Sequence, residues 1–392
     1  MSGKLQLATK GVQDQWLTGD PMMSYFLMNY KRHSKFAIDY VESQFNGDID
    51  FGEIVTCRIP GDKGDLIRNM NLKVKLQDPS PAGNEWVPSV ISHMIEYAEL
   101  SIGGQVIEKI TGEYIYIHQQ LHNTDDDIDQ TLYFLNGHGR TLAYSGSYTY
   151  FIDLPFYFYR TSGLSIPTCA LTKQLVEVRI KLRPLNELIL SGASVDVSSK
   201  IEKMSLDCEF ALVTEPEKRF LMSRPLDYII TQVQLSKFKM KAGSNSKSVM
   251  INFSHPVREL FFVSQSYDSI TNNYPNKYNT IKNIKLKFNN ETVFDRDTKF
   301  LVYEQALKHY VNSPSDKSSV ASYLKSEFGI YSFALQPGKL YPTGQVNMSR
   351  IAHKLLTIEI DPLNDVDDND TRIYAINYNI LTISDGIAGL KF

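Results

Sequence analysis

The sequence is short of several features that would indicate a particular class of protein. Its 392 residues include three cysteines, Cys57, Cys169 and Cys208, and two tryptophans. Three widely separated cysteines exclude a disulfide framework and a metal site built on closely spaced cysteine pairs. We therefore expect buried free thiols in a reducing compartment.

Long apolar runs and an excess of charge are missing as well. No run approaches the about 18 apolar residues that a transmembrane helix needs. In residues 17–37, LTGDPMMSYFLMNYKRHSKFA, the apolar part precedes the basic part, which is the reverse of a secretory signal. The 41 Lys and Arg nearly balance the 44 Asp and Glu. Such balance argues against direct nucleic-acid binding and against a general attraction to anionic membranes.

Metal-binding motifs do not stand out either. The acidic runs at 125–129 and 361–370 lack the spacing and the mid-loop glycine of a calcium-binding loop, so solvated loops are the favoured interpretation. His118 and His122 are four residues apart, as on one helix face. No Glu stands between them in an H-E-x-x-H arrangement and no third ligand is evident. We expect structural histidines and no bound metal or cofactor.

Catalytic motifs are equally scarce. The sequence has no Walker glycine loop, and GHGR at 137–140 is only a turn. The segments 145–147 and 191–193 lack the strand and helix that flank a nucleophile elbow. We therefore expect no enzymatic activity.

Aromatic residues and alternating patterns are what the sequence does contain. The 23 Tyr and 20 Phe suit half-buried pleated surfaces. Alternation of apolar with polar or charged residues predicts strands that have one buried and one wet face. Many short strands at regular spacing are typical of an all-β sandwich or jelly roll. The clearest runs are 54–60, 72–78, 97–104, 176–182, 281–288 and 355–361.

The chain also repeats itself. Residues 100–121, LSIGGQVIEKITGEYIYIHQQL, align without gaps on residues 286–307, LKFNNETVFDRDTKFLVYEQAL. Both segments predict a strand, a tight turn, a second strand and a short helix. Residues 163–185 correspond in the same way to residues 338–363. This duplication predicts two tandem eight-stranded jelly-roll barrels of about 180 residues each.

The same patterns suggest where the parts of the chain begin and end. We expect an N-terminal arm at 1–38, a first jelly roll at 39–215 and a second at 227–392. Residues 216–226, PEKRFLMSRPL, contain two prolines and several charges, and we interpret them as a short linker.

The arm has its own signals. Thr18-Gly19-Asp20-Pro21 is typical of a helix start, so we expect a short helix from Pro21 to about residue 32. Its apolar side chains would crowd more than one face, and such a helix needs to be covered. The arm could plug the base of its own domain or dock on adjacent subunits or an underlying layer. A basic collar, Lys31, Arg32, His33 and Lys35, follows it.

Residues 11–39, GVQDQWLTGDPMMSYFLMNYKRHSKFAID, resemble the N-terminal signature of the double jelly-roll major capsid proteins of nucleocytoplasmic large DNA viruses. The residues that carry the resemblance are Gly11, Asp14, Leu17, Thr18, Gly19, Pro21, Phe26, Tyr30, Lys31, Arg32, His33, Ser34, Phe36 and Ala37. Further blocks of the chain follow in family order: 99–115, 154–171, 255–265, 341–351 and 378–392.

The resemblance implies a structural protein of an icosahedral virion capsid, assembled in the host cytoplasm. It implies homotrimers whose six jelly rolls form a pseudo-hexagonal capsomer in contact with neighbouring capsomers. It places the arm at the inner base, near minor capsid proteins and possibly an internal membrane. The candidate assembly residues are Asp14, Leu17, Pro21, Tyr25, Phe26, Tyr30, Lys31, Arg32, His33 and Phe36.

Other functions stay open at this stage. The chain is shorter than many family members, so it could be the principal shell protein or a less abundant paralogue. A cupin-like or carbohydrate-processing enzyme can use the same fold, but a cupin needs clustered His and Glu ligands within one barrel. An assembly scaffold or a lectin-like binding protein is a third class that composition does not exclude.

Overall fold

The computed structural model describes residues 2–28, 30–81, 84–138, 146–190, 197–271, 273–314, 327–339, 341–361 and 367–392. Two units are distinguished, residues 1–35 and residues 36–392. The serine segment 191–193, Ser145 and residues 139–140 of the predicted turn lie outside the described residues. In the described part of the chain, no helix is long and apolar enough to cross a membrane.

The first unit has two short helices, α1 (Ser2–Ala8) and α2 (Asp14–Thr18). The Asp14 carboxylate accepts a hydrogen bond from the Gly11 amide at 2.6 Å at the start of α2. The described residues between Pro21 and Lys35 are not helical, so the predicted helix from Pro21 is wrong. A residue before proline is kept out of the helical region, and Asp20 has a φ of 45°. The motif therefore follows a helix instead of starting one.

The second unit opens with an eight-stranded jelly roll, here called the first roll. Its strands form two antiparallel four-stranded sheets, ordered β1-β8-β3-β6 and β2-β7-β4-β5. Alternating side chains of both sheets, such as Met70, Leu72, Phe210 and Val178, fill the core. The strands are β1 (Phe36–Gln44), β2 (Ile54–Ile59), β3 (Leu66–Gln77), β4 (Ile95–Ile102), β5 (Gln105–Thr111), β6 (Ser147–Asp153), β7 (Val176–Leu182) and β8 (Ile201–Val213).

Helices of the first roll lie between its strands. They are α3 (Val90–Met94), α4 (Gly112–His122) and α5 (Tyr133–Asn136), with a π-helical turn at Asp127–Leu132. The short helix predicted at the end of the repeated segment 100–121 is therefore confirmed as α4. The predicted linker contains α6 (Glu215–Met222). Strand β1 begins at Phe36, inside the predicted arm, because Phe36 pairs with Val213 and Ile38 pairs with Ala211.

The second roll repeats the arrangement. One sheet is ordered β10-β16-β12-β13, and in the other β9 and β11 flank β17, with β14 beyond β11. The strands are β9 (Leu226–Met240), β10 (Ser246–Met250), β11 (Pro256–Ser266), β12 (Ile281–Phe288), β13 (Glu291–Asp297), β14 (Gly329–Ser332), β15 (Val346–Asn347), β16 (Lys354–Ile360), β17 (Asn369–Ser384) and β18 (Ile387–Leu390). With β15 and β18 as short additions, the strand order matches that of the first roll, so the predicted double jelly roll is confirmed.

The duplicated segments adopt the same local structure. Gly103 and Gly104 link β4 to β5, and Asn289 and Asn290 link β12 to β13, and all four have positive φ. A two-residue hairpin turn with both φ positive matches the twist of its strands, and glycine and asparagine tolerate it best. Helix α4 follows the first hairpin. A π-helical turn (Lys299–Glu304) and α8 (Gln305–His309) follow the second, and α7 (Tyr267–Thr271) lies earlier.

Candidate assembly surfaces

An apolar layer joins the two rolls. Along β11, Leu260 and Phe262 enter the core of the second roll, while Phe261 and Val263 pack in the cluster that contains the core of the first roll. Strand β17 alternates likewise, with Ile373 and Ala375 on one side and Tyr374 and Ile376 on the other. Both strands are therefore buried on both faces. We call this contact between the rolls the joint.

A buried ion pair lies at the centre of the joint. Glu113, in the first turn of α4, receives two hydrogen bonds from the Arg372 guanidinium on β17, both at 2.8 Å. The Tyr374 hydroxyl donates a third at 2.5 Å. Burial opposes ionisation of Glu113, but the Arg372 charge and these hydrogen bonds outweigh burial and lower its pKa.

Further partners complete the environment of Arg372. Asp370 accepts from it at 2.9 Å and Gln265 at 2.8 Å. Paired and hydrogen-bonded in this way, the buried charge sets one register between the rolls, since a shifted register would leave Arg372 or Glu113 unpaired. A polar cleft of about 620 Å³ opens beside the pair.

Two more buried carboxyls lie near the joint. Glu259 on β11 pairs with the Arg258 guanidinium at 2.7 Å and accepts a hydrogen bond from the Tyr310 hydroxyl. Glu108 on β5 accepts from the Tyr157 amide at 2.7 Å. Burial raises the pKa of Glu108 to about 8, so this carboxyl is mostly protonated at neutral pH.

Four histidines lie on or beside α4, of which His93 and His138 are buried and His118 and His122 are half-buried. The rings of His118 and His122 stack with their centroids 4.1 Å apart. The rings of His122 and Tyr310 pack edge to face with their centroids 5.5 Å apart. His93 Nε2 lies 2.6 Å from the side-chain amide oxygen Oδ1 of Asn276, which belongs to the second roll. His138 bonds to Gln119 and Gln120 of α4, both at 3.1 Å. In the described residues, no group of three or more His, Cys, Asp and Glu side chains could hold a metal ion.

The acidic runs have structural contacts where they are described. The Asp127 carboxylate accepts from the Thr124 hydroxyl at 2.7 Å, at the start of the π-helical turn. The Asp368 carboxylate accepts from the Ala242 amide at 2.9 Å. Residues 362–366 and the side chain of Asp129 lie outside the described part.

The predicted arm residues are exposed in the structure. The exposed fraction reaches 86% for Leu17, 92% for Tyr25, 97% for Phe26 and 78% for Tyr30. Asp14 and Leu17 lie in α2, and Phe36 begins β1. The other predicted arm residues, Pro21, Lys31, Arg32 and His33, are exposed and lie outside helices and strands. Their role in assembly stays a prediction.

Sequence reasoning missed the joint itself. Glu113 and Arg372 are 259 positions apart, and neither stands in a recognisable motif. One signal was available in the segment AINYNILTI at 375–383, where apolar residues stand next to each other at 375–376 and 380–381 and break the alternation. A strand that is buried on both faces loses strict alternation.

Two family models together match most of the chain. A model of the major capsid protein N-terminus matches residues 24–213, and a model of the large eukaryotic DNA virus major capsid protein matches residues 217–389. With the double jelly-roll fold, this shows that the chain belongs to the major capsid proteins of large eukaryotic DNA viruses. It is thus a structural component of a virion capsid, and the resemblance found in the sequence is confirmed.

Individual relatives agree with the family. The chain is 30% identical to the major capsid protein of Pyramimonas orientalis virus over 100% of this chain and 99% of the relative. It is 25% identical to that of Paramecium bursaria Chlorella virus 1, with 100% of both chains covered. Among solved structures, VP54 of PBCV-1 has a TM-score of 0.80 at 20% identity, covering 94% of this chain and 100% of the other. The Faustovirus major capsid protein has a TM-score of 0.77 at 10% identity, covering 98% and 96%.

Proposed function

We propose that this chain is the principal shell protein of an icosahedral large DNA virus and that three copies form a pseudo-hexagonal capsomer. The observation that carries the proposal is the joint. Because the rolls share a buried ion pair and a continuous apolar layer, one chain provides two similar rolls that are held in one fixed orientation. Three such chains supply six similar rolls.

The proposal gives the protein a structural role without catalysis. The described residues bring together buried ion pairs and stacked aromatic rings, and these hold the fold together. Nearly balanced charge suits a capsomer that packs against its own copies and does not itself bind nucleic acid. The proposed parts are the arm at 1–38, the first roll at 39–215, the linker at 216–226 and the second roll at 227–392, with β1 starting three residues before the first bound and β9 one residue before the last. The family models meet between residues 213 and 217, which supports the linker.

The arm would fix the capsomer from below. Its exposed aromatic residues and the basic collar at Lys31, Arg32 and His33 suit an apolar partner with an acidic or phosphate-bearing border. Minor capsid proteins or an internal membrane at the inner side of the shell fit that description. Assembly would take place in the host cytoplasm.

Light scattering coupled to size-exclusion chromatography tests the proposal, together with negative-stain imaging of the purified protein. We expect a stable particle with the mass of three chains and a hexagonal outline. A stable monomer at micromolar concentration would contradict the trimeric capsomer.

A second candidate is a less abundant capsid paralogue or an assembly scaffold. It is favoured by one observation, that two of the relatives, capsid protein 1 and probable capsid protein 4, come from one virus, Acanthamoeba polyphaga mimivirus. Quantitative mass spectrometry of purified virions separates the candidates. A principal shell protein dominates the virion, a paralogue is present in few copies, and a scaffold is lost from mature particles.

A further inference from the structure

The polar cleft beside the Glu113–Arg372 pair lies between the two rolls, and we call it the joint cleft. Its volume of about 620 Å³ is within the range of pockets that hold small ligands. Strand β4 begins beside it, and β7 and β11 end beside it, so the cleft opens at one end of the rolls. Phe36, where the chain enters the first roll, lies beside the start of β3 at the opposite end.

The lining of the joint cleft has balanced charge. Among the described residues, four basic and four acidic side chains line it. His93, also in the lining, is neutral at pH 7 because burial lowers its pKa to about 4. A cleft that collects ions of one sign needs an excess of the opposite charge in its walls. The balance therefore favours an uncharged polar ligand.

Most of the lining charges are already paired within the protein. Arg372 is held by Glu113 and Asp370 in the joint. Arg183, directly after β7, donates to the Glu187 carboxylate at 3.2 Å. Such pairs fix the positions of the walls, so the cleft is formed before a ligand enters and little ordering is needed on binding.

Two lining charges are exposed, one on each roll. Glu96 on β4 and Lys237 on β9 make no hydrogen bond or ion pair within the described part of the chain. A carboxylate accepts hydrogen bonds and an ammonium group donates them. A ligand that spans the cleft must therefore donate to one wall and accept from the other. A hydroxyl group can do both.

Apolar and aromatic side chains complete the lining. Leu235 on β9 and Ile270 on α7 line the cleft, and Ile270 is 37% exposed. The Tyr97 ring is held in place by the Lys109 ammonium group, which lies 3.6 Å from the ring centroid. A sugar ring combines hydroxyl groups at its edge with C–H groups on its faces. Fixed polar groups beside apolar and aromatic surface match both parts.

We propose that the joint cleft binds an uncharged carbohydrate, whose hydroxyl groups donate to Glu96 and accept from Lys237. The binding needs only the folded chain and does not depend on the proposed capsomer. If the arm lies on the inner side of the shell, as proposed above, the cleft opens on the outer side, where a particle meets the sugars of a host surface. A role in attachment rests on that position of the arm.

Saturation-transfer difference NMR of the full chain tests the site. The probes are four free sugars, glucose, galactose, mannose and N-acetylglucosamine. We expect saturation transfer to at least one of them at millimolar concentration, and less to the charged sugar N-acetylneuraminic acid. Because the ligand is uncharged, its dissociation constant should be the same in about 0.1 M and about 1 M NaCl.

Variants test where the sugar binds. Glu96→Ala and Lys237→Ala should each raise the dissociation constant by about tenfold or more, because a hydrogen bond to a charged group is lost. Glu53→Ala and Lys239→Ala are the matched controls and should keep the wild-type constant. Lys239 is exposed two residues further along β9, and Glu53 is exposed beside β2, at the far edge of the sheet that contains β4. The thermal midpoint of each variant checks folding.

The outcomes separate this site from the shell role. No transfer to any of the four sugars would overturn the inference, and so would equal binding by the wild type, Glu96→Ala and Lys237→Ala. Transfer to N-acetylneuraminic acid alone, or a dissociation constant that rises steeply with salt, would assign an anion to the cleft and overturn it as well. A wild-type chain that stays monomeric and still binds a sugar would contradict the capsomer and support this site.

Discussion

At the scale of single residues, the buried histidines make the stability of the subunit depend on pH. Burial lowers the pKa of His93 to about 4 and that of His138 to about 3. It also lowers the pKa of His118 and His122, and Arg160 and Arg258 add repulsion there. In the unfolded chain these imidazoles have pKa values near 6.5, about the usual value. Their contribution to stability is therefore present above pH about 6.5 and is lost below it.

We accordingly expect the free energy of unfolding to fall as the pH drops from about 7 to 5. Each histidine contributes up to about 1.4 kcal/mol per pH unit. Glu108 acts in the opposite direction, since its pKa is raised and its contribution grows as the pH falls from about 8 to 4.5. Four histidines oppose this one carboxyl, so the net effect of acid is destabilising. Urea unfolding at several pH values measures the slope.

Single variants test the source of this slope. His138→Gln should reduce it by about 1.4 kcal/mol per pH unit, because one buried group no longer titrates. Leu17→Ala, in the arm, is the control and should leave the slope unchanged, because it removes no titratable group. An equal slope in both variants would show that the buried histidines do not control acid stability.

Breaking the buried Glu113–Arg372 pair should cost much more stability than breaking an ion pair on the surface. Arg372→Met leaves a carboxylate buried without its partner and should destabilise the chain by about 3–5 kcal/mol. Combining it with Glu113→Gln should restore part of that loss. Arg58→Met removes the surface pair with Glu177 and should cost less than about 1 kcal/mol. Equal losses of unfolding free energy in Arg372→Met and Arg58→Met, measured by denaturant unfolding, would refute the claim that the buried pair stabilises the joint.

At the scale of elements, local signals predicted the strands well and the arm poorly. Alternation located β7 at its observed position and β16 to within one residue. The Gly103-Gly104 and Asn289-Asn290 turns were recognisable because they require positive φ. The prediction of a helix from Pro21 was wrong because residues 18–21 can follow the end of one helix as well as precede the start of another. Propensity does not decide between them when the flanking helix is short.

The arm should act in assembly and not in folding of the subunit. Phe26→Ser with Tyr30→Ser removes two exposed aromatic anchors. We expect an unchanged thermal midpoint and an intact trimer. The yield of complete particles, counted in electron micrographs of infected cells, should fall by about tenfold, which corresponds to ~1.4 kcal/mol of binding.

Leu5→Ser is the control for the arm variant, because Leu5 is 68% exposed in α1 but lies outside the signature residues. Loss of the soluble trimer in the Phe26 and Tyr30 variant would instead support an arm that plugs its own domain.

At the scale of the whole molecule, duplication was visible in the sequence but the joint was not. The repeat established two similar rolls, since each copy carries its own turns and alternation. How two rolls pack depends on pairs such as Glu113 and Arg372, whose separation along the chain hides them from any local pattern.

The joint also predicts how the subunit unfolds. Because Phe261, Val263, Tyr374 and Ile376 leave water only when both rolls are present, the rolls should unfold together in one calorimetric transition. An isolated second roll, residues 227–392, should be less stable than the whole chain and should bind a hydrophobic dye. Two well-separated transitions in the intact chain would contradict this coupling.

The two-sided burial of β11 and β17 limits how the shell can change over time. Between residues 259 and 265 of β11 and between residues 371 and 379 of β17, every side chain is buried. A new side-chain chemistry there has no access to solvent, so we expect these segments to change slowly in sequence. Exposed turns such as residues 241–245, between β9 and β10, carry no such restriction. A lineage can therefore alter what its particles present to hosts while the spacing of its lattice stays the same.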